Sequence, residues 1–143
     1  MDPRVEVVVL ACTQALPESG VFLTLFKGFP LEVRVVREPC SSKVEVFQML
    51  CILASDADLL WVVGCPEDRC QMFEGSRRLG RRVAYARQYL QEIGLEPERV
   101  GLIRLTPGEE GDLALAVGEI KARVLALGPN PGRSRPLATM EDL

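Results

Sequence analysis

The sequence predicts an α/β fold built on a small four-stranded parallel sheet. Four short runs of aliphatic and β-branched residues lie along the chain: Val5–Leu10, Leu31–Val36, Leu59–Val63 and Val100–Leu105. The near-continuous run Val5–Leu10 is typical of a strand that is buried on both faces of a parallel sheet. Most of the segments between them have the length and periodicity of helices. Right-handed crossovers then give a three-layer, flavodoxin-like or Rossmann-like sandwich with strand order 2-1-3-4.

The first strand has the most continuous aliphatic run, so we place it at the centre of the sheet. The segment Ser19–Phe26 predicts a short helix that ends at Gly28. Pro30 then precedes the second strand.

The second helix is predicted over Lys43–Ala54, with Ser41 and Ser42 as candidate N-caps. Apolar residues recur along it at spacings of three and four, which is the pattern of a helix with one apolar face. We therefore predict that this face packs on the sheet. The apolar positions are Val44, Phe47, Leu50, Cys51 and Ala54.

The third helix is predicted over Asp68–Ile93, with an interruption or kink near Gly75 or Gly80 and with Gly94 as its C-cap. The fourth helix is predicted over Asp112–Leu127. Both follow an aliphatic strand, as the alternating strand and helix order of this fold class requires.

The last part of the chain differs in composition from the rest. Residues 129–143 hold three of the ten prolines and few large apolar side chains. A segment of this composition does not form a core of its own. We therefore expect an α/β domain over residues 1–128 and an extended Pro/Gly-rich C-terminal tail over residues 129–143.

Four of the five cysteines come directly after predicted strands. Cys12 follows the first strand, Cys40 the second, and Cys65 and Cys70 the third. Because the carboxyl ends of parallel strands meet at one edge of a sheet, we expect these four thiols to converge there. Thiolates in such a group are ligands for iron-sulfur clusters or zinc.

Composition excludes several other classes of function. The chain has 17 basic and 20 acidic residues, which gives no reason to expect a nucleic acid or an anionic membrane as partner. It has no histidine, so no catalytic residues based on a Ser-His or Cys-His pair are expected. Neither a signal peptide nor a membrane span is evident, and a cytoplasmic location is the expectation.

The cysteines have alternative interpretations. Cys51 lies within the second predicted helix and is interpreted as a buried core residue. All-thiolate zinc sites are common, but zinc ribbons use close CxxC pairs, whereas four residues separate Cys65 from Cys70. A phosphate-binding module is disfavoured because the segment Thr13–Glu18 lacks the glycines of a phosphate loop.

Three segments resemble the delta subunit of methyl-viologen-reducing hydrogenase. They are Ala11-Cys12-Thr13, Pro39-Cys40-Ser41-Ser42-Lys43-Val44, and Gly64-Cys65-Pro66-Glu67-Asp68-Arg69-Cys70-Gln71-Met72-Phe73-Glu74-Gly75-Ser76. The third is the most specific of them, and the similarity extends over residues 5–128.

The resemblance implies an electron-transfer subunit with a [2Fe-2S] cluster bound by Cys12, Cys40, Cys65 and Cys70. It also implies two partners within a larger oxidoreductase complex. One is a heterodisulfide-reductase-like subunit with flavin and iron-sulfur centres, and the other is an electron-donor subunit. No catalytic step is expected in this chain itself.

The chain departs from the family at one position. The family typically has a further cysteine three residues after the position of Cys12, and here that residue is Ala15. Four cysteines remain in the three segments, which is the number that a [2Fe-2S] cluster requires. If the missing cysteine is a ligand in the family, the alternative is a structural or zinc-binding adaptor subunit without a redox cluster.

Overall fold

The computed structural model describes residues 5–13, 15–16, 20–38, 44–66, 75–105 and 110–133. Within them the chain alternates strands and helices in the predicted order. The elements are β1 (Val5–Cys12), α1 (Gly20–Thr24), β2 (Leu31–Glu38), α2 (Val46–Ser55), β3 (Leu59–Gly64), α3 (Gly75–Glu92), a 3-10 turn (Pro97–Arg99), β4 (Val100–Arg104) and α4 (Glu110–Leu127).

The four strands form one parallel sheet in the order β2-β1-β3-β4, as predicted. The register pairs Val5 with Leu31 on one side of β1 and Val7 with Leu59 on the other. The predicted central position of β1 is thus confirmed, and the α/β fold class with it.

Side chains on the two faces of the sheet pack in two separate apolar cores. Val7, Val9 and Ala11 of β1 belong to a core that also contains Phe22 of α1 and Ile120 of α4. Val8 and Leu10 of β1 face a second core, which is shared with α2 and α3. The second core includes Val8, Leu10, Met49, Leu53, Leu79 and Val83. The central strands β1 and β3 are therefore covered on both faces, which explains their nearly continuous apolar sequences.

The buried face predicted for α2 is wrong. Met49 and Leu53 are its buried residues, whereas Phe47 is 77% exposed and Cys51 is also exposed. The helix is apolar on almost every side, with the sequence VFQMLCILAS, so periodicity could not identify the face that contacts the sheet. It also begins at Val46, later than predicted. The predicted caps at positions 41 and 42 lie outside the described residues.

Glycine ends α3 and α4 as the sequence indicates. Gly94 has φ 86° and Gly128 has φ 64°, which are left-handed values that side chains with a Cβ rarely adopt. Gly128 donates a backbone hydrogen bond to the carbonyl of Val124 at 2.9 Å. Within the described residues, no helix is long and apolar enough to cross a membrane.

A buried arginine joins several backbone segments at the amino-terminal edge of the sheet through hydrogen bonds. Arg99 is 1% exposed and lies 2.6 Å from a carboxylate oxygen of Glu96. Its guanidinium also donates to four backbone carbonyls at 3.0 to 3.3 Å, so most of its polar atoms are satisfied despite burial. These carbonyls belong to Asp58, Leu127, Gly128 and Pro129.

Asp58 and Asn130 continue this polar network. Asp58 is fully buried and accepts hydrogen bonds from the backbone amides of Glu6 at 2.9 Å and Asn130 at 3.0 Å. The Asn130 amide group donates to the carbonyl of Leu53 at 3.0 Å, and Arg133 contacts Asp58 at 3.3 Å. The first residues after α4 are therefore fastened to β1, α2 and the segment that leads into β3.

The division between a domain ending at residue 128 and a tail stays a prediction, since residues 134–143 lie outside the described residues.

Trp61 fills the space beside a glycine on the neighbouring strand. It is fully buried, and its register partner on β4 is Gly101. A Cβ at Gly101 would overlap the Trp61 ring.

The Arg123 guanidinium of α4 lies 4.4 Å from the centre of the Trp61 ring. Burial lowers the pKa of Arg123, and the nearby Glu119 carboxylate raises it in part. The indole N–H of Trp61 has no hydrogen-bond partner among the described residues, so the ring serves as apolar filling.

Gly101→Ala is expected to lower the free energy of unfolding by about 1–3 kcal/mol, because the added methyl group cannot enter the space that Trp61 occupies. Urea unfolding followed by tryptophan fluorescence measures this change. The matched control is Gly118→Ala in the interior of α4, where nothing lies within 4 Å of a new Cβ. It should stabilise the protein by about 0.5–1 kcal/mol. Equal effects of the two substitutions would contradict the packing described for Trp61.

Arg99→Met is expected to lower the free energy of unfolding by about 3 kcal/mol or more, since it leaves buried carbonyls without donors. Arg77→Met on the exposed side of α3 is the control and should change stability by less than about 0.5 kcal/mol. Thermal unfolding by circular dichroism gives both values. A small effect at Arg99 would show that water replaces the guanidinium.

Candidate functional site

Two of the four predicted ligands lie at the carboxyl-terminal edge of the sheet, on adjacent strands. Cys12 is the last residue of β1, and Cys65 directly follows β3. The register pairs Ala11 with Val63, so its continuation brings Cys12 level with Gly64, one residue before Cys65. Neighbouring strands are about 4.8 Å apart. The sheet therefore places these two cysteines close together, as the strand-end pattern predicted.

Both cysteines are buried in the same apolar core. Cys12 is 3% exposed and Cys65 is 5% exposed. The side chains of Ala15, Leu16 and Leu105 belong to the same core and are also buried. The two thiols thus lie in surroundings that exclude water, where soft sulfur ligands meet little competition from water molecules.

Hydrogen bonds hold the end of β1 in place. The carbonyl of Cys12 accepts hydrogen bonds from the amides of Ala15 at 3.1 Å and Leu16 at 2.9 Å, which form a tight turn directly after the strand. The amide of Thr13 donates to the carbonyl of Glu38 on β2 at 2.9 Å, and an Arg37 guanidinium N–H donates to the carbonyl of Leu16 at 3.1 Å. The turn is therefore tied to the neighbouring strand on one side.

The end of β3 is held in a similar way. The amide of Leu105, directly after β4, donates to the carbonyl of Gly64 at 3.0 Å. Backbone pairing thus reaches the last residue before Cys65. Backbone pairing on each side of this edge therefore limits the movement of Cys12 and Cys65.

Ala15 lies beside the candidate site. It is 3% exposed and shares its core with Cys12 and Cys65. The turn after β1 brings it there, because its amide bonds back to the carbonyl of Cys12. Sequence analysis identified this position only through the family pattern. Its burial in the same core follows from the turn, which the order of residues alone did not reveal.

The other two predicted ligands, Cys40 and Cys70, lie outside the described residues, as do the residues that flank them. The described residues include Cys12 and Cys65 but not Cys40 or Cys70. Among these described residues, no group of three or more cysteine or carboxylate side chains could hold a metal ion. The set of four ligands therefore stays a prediction. Its two described members are the ones that the sheet brings together.

Cys51 belongs to a different part of the molecule. It lies on α2, whose buried side chains pack in the second core, and it is exposed. The prediction that Cys51 is a buried core residue is therefore wrong.

The arginines of α3 do not form one uniform surface cluster. Arg82 donates to the carbonyl of Val44 at 2.9 Å, and Arg87 donates to the carbonyl of Pro97 at 3.3 Å, so both fasten α3 to neighbouring segments. Arg77, Arg78 and Arg81 remain exposed. Sequence analysis cannot separate the two groups, because the five guanidinium groups differ only in what the fold places next to them.

Sequence comparison finds relatives of this chain over most of its length. The sequence model of the family described as methyl-viologen-reducing hydrogenase, delta subunit, matches residues 7–128. The vhu iron-sulfur subunit of the F420-non-reducing hydrogenase of Methanocaldococcus jannaschii is 35% identical over 103 residues, which is 72% of this chain and 77% of that protein. The iron-sulfur subunit of the F420-non-reducing hydrogenase of Archaeoglobus profundus is 35% identical over 127 residues, which is 86% of this chain and 90% of that protein.

A third relative is a much longer protein. It is a subunit of the ferredoxin/F420H2-dependent CoB-CoM heterodisulfide reductase of Methanosarcina acetivorans, and it is 28% identical over 101 residues, which is 71% of this chain but 13% of that protein. The same kind of domain thus occurs both in separate hydrogenase subunits and within a heterodisulfide reductase subunit. On the match over residues 7–128 and the extent of the two hydrogenase relatives, the chain belongs to the methyl-viologen-reducing hydrogenase delta subunit family.

Proposed function

We propose that this chain is an electron-transfer subunit whose [2Fe-2S] cluster is bound by Cys12, Cys40, Cys65 and Cys70. The observation that carries the proposal is the placement of Cys12 and Cys65 at adjacent strand ends within one buried core. The donor set fits the group, since thiolates are the usual ligands of such clusters and the chain has no histidine to replace them. The names of the hydrogenase relatives, which are iron-sulfur subunits, support the same conclusion.

The cluster would supply reversible one-electron oxidation and reduction. The chain holds the ligands on a rigid sheet edge from which water is partly excluded. Strand pairing up to Cys12 and Gly64 limits movement of the ligands, and a ligand shell that moves little lowers the reorganisation that accompanies electron transfer. The buried side chains of Leu16 and Leu105 exclude water from one side of the site. Burial and solvent access are among the properties that set a cluster's potential.

The proposed partner is a heterodisulfide-reductase-like subunit with flavin and iron-sulfur centres, to or from which this chain relays electrons. The support is the relative in Methanosarcina acetivorans, in which the matching domain is part of a heterodisulfide reductase subunit. A domain that is covalently joined to a reductase in one organism is expected to bind such a reductase when it occurs as a separate chain in another. The two hydrogenase relatives support a hydrogenase as the electron donor.

The second candidate is a structural or zinc-binding adaptor without a redox cluster. The observation that favours it is Ala15, which is buried in the core of Cys12 and Cys65 at the position where the family typically has a cysteine. If that cysteine is required for the cluster, the present thiols would hold zinc or no metal. The two candidates differ in one measurable property, the metal and sulfide content.

Anaerobic iron, zinc and acid-labile sulfide analysis is the test of the proposal. We expect about two irons and two sulfides per chain, together with a rhombic S = 1/2 electron paramagnetic resonance signal after reduction with dithionite. Zinc without sulfide, or no metal at all, would instead support the adaptor.

Cys65→Ser is expected to abolish or strongly reduce iron and sulfide binding, because it removes one of the thiolates that the sheet edge supplies. Cys70→Ser should have the same effect if the predicted ligand set is right. Cys51→Ala is the matched control and should retain the full iron content, because Cys51 is exposed on α2. Thermal unfolding of each variant separates loss of a ligand from loss of the fold. Iron loss in the Cys51 variant would show that the ligand set is wrong.

A further inference from the structure

An apolar groove lies between α2 and the end of α3, and we call it the α2–α3 groove. Its volume is about 320 Å³. The two helices contribute most of its lining, and one residue of the segment after α4 lines it as well. The lining includes Phe47, Cys51, Tyr89, Ile93, Leu95 and Gly132. The groove lies on the helices that cover the second core, so it is separate from the surroundings of Cys12 and Cys65.

Much of the groove surface is apolar and exposed. Phe47 is 77% exposed, Ile93 is 55% exposed and Tyr89 is 44% exposed. Single exposed apolar residues are ordinary, but a contiguous group of them in a groove is typical of a surface that another segment or molecule covers.

The chain itself returns to the groove after α4. Gly132 lies directly against Leu95, since a Cβ at Gly132 would be 2.7 Å from Cδ1 of Leu95. Both residues line the groove. The amide of Gly132 donates to the side-chain oxygen of Asn130 at 2.9 Å, which holds the turn at this point. The segment after α4 is therefore already in contact with one wall of the groove.

The residues on both sides of Gly132 are fastened to the carboxyl-terminal end of α2. The Asn130 amide group donates to the carbonyl of Leu53 at 3.0 Å, and the Arg133 guanidinium donates to the carbonyl of Ser55 at 3.4 Å. The same guanidinium pairs with two carboxylate groups. The next residues therefore start from an anchored position at the end of the groove, which gives them a high effective concentration there.

These next residues have the composition and the reach to cover the groove. Residues 134–143 include the large apolar side chains of Leu137 and Met140. From Ser55 back to Phe47, the helix that forms one wall rises about 12 Å at 1.5 Å per residue. Extended chain spans about 3.3 Å per residue, so Leu137 can lie about 13 Å beyond the last described residue and Met140 about 23 Å beyond it. The whole exposed part of the groove is thus within reach.

We propose that residues 134–143 of this chain cover the α2–α3 groove as a strap, with Leu137 and Met140 packed on Phe47 and Tyr89. The strap continues the contact that the preceding residues already make with the groove, and it runs along α2 toward the first turn of that helix. Its ordering costs little loop-closure entropy because one end is already held in place, and burial of the exposed apolar surface offsets the remainder. The proposal does not depend on which metal the cysteine edge binds.

Cys51 is a natural reporter of the strap, since it lies on the groove and no other described segment covers it. The experiment measures alkylation of Cys51 by iodoacetamide in the full chain, with mass spectrometry that resolves each cysteine. Leu137→Ser with Met140→Ser should accelerate this alkylation about tenfold, because modification follows the population of the open form. Leu115→Ser is the matched control. It changes an exposed leucine on α4, away from the groove, and should leave the rate unchanged.

A double-mutant cycle tests whether the strap contacts the groove directly. Phe47→Ala and Leu137→Ala should each accelerate alkylation of Cys51. Their combination should accelerate it no more than the stronger of the two, because both substitutions remove the same contact. Effects that multiply independently would show that Leu137 does not pack on Phe47 and would contradict the proposed arrangement. Circular dichroism of each variant separates release of the strap from loss of the fold.

Two further outcomes would overturn the proposal. The first is an equal rate of Cys51 alkylation in the original chain and in the Leu137→Ser, Met140→Ser variant, which would show that the groove is open to another protein. The second is alkylation of the original chain that becomes faster on dilution, which would identify a second copy of the chain as the occupant. Iron and sulfide content measured on the same samples reports on the cluster separately, so this proposal and the proposed function fail independently.

Discussion

The parallel pairing of β1 with a strand on each side is the constraint on which the rest of the structure depends. Residues 7–11 of β1 pair with β2 on one edge and with β3 on the other, and their side chains pack in the two cores. The register carries this order to Cys12, where the strand ends. The position of Cys12 beside Cys65 is thus a consequence of backbone hydrogen bonding, and it needs no bound group to establish it.

The two edges of the sheet are stabilised in different ways. At the amino-terminal edge, Arg99 and Asp58 form a buried polar network that holds the 3-10 turn, the start of β3 and the segment after α4 together. At the carboxyl-terminal edge, Cys12 and Cys65 belong to an apolar core, and the Arg37 guanidinium donates to the carbonyl of Leu16 in the turn after β1. The buried network of Arg99 and Asp58 therefore lies at the opposite edge of the sheet from the two thiols.

The strands were the most predictable part of this fold, since continuous aliphatic runs have few other interpretations in a chain of this length. The strand order and the strand-end positions of Cys12 and Cys65 followed from general rules of parallel sheets. The exposed side of α2 could not be predicted, because a helix that is apolar all round contains no signal for its buried face. The structural role of Arg99 could not be predicted either, since its partners include backbone carbonyls that are distant in sequence. The ligand roles of all four cysteines rest on sequence and family resemblance, and Cys40 and Cys70 lie outside the described residues.

Trp61 gives the protein a built-in optical probe of the candidate site. It is the only tryptophan in the chain, and it lies on β3 four residues before Cys65, a separation of about 13 Å along extended chain. Full burial against Gly101 and Arg123 shields its emission from solvent quenching. A coloured group bound at Cys65 would lie close enough to take up that emission by energy transfer. One fluorescence signal therefore reports both the integrity of the fold and the occupancy of the sheet edge.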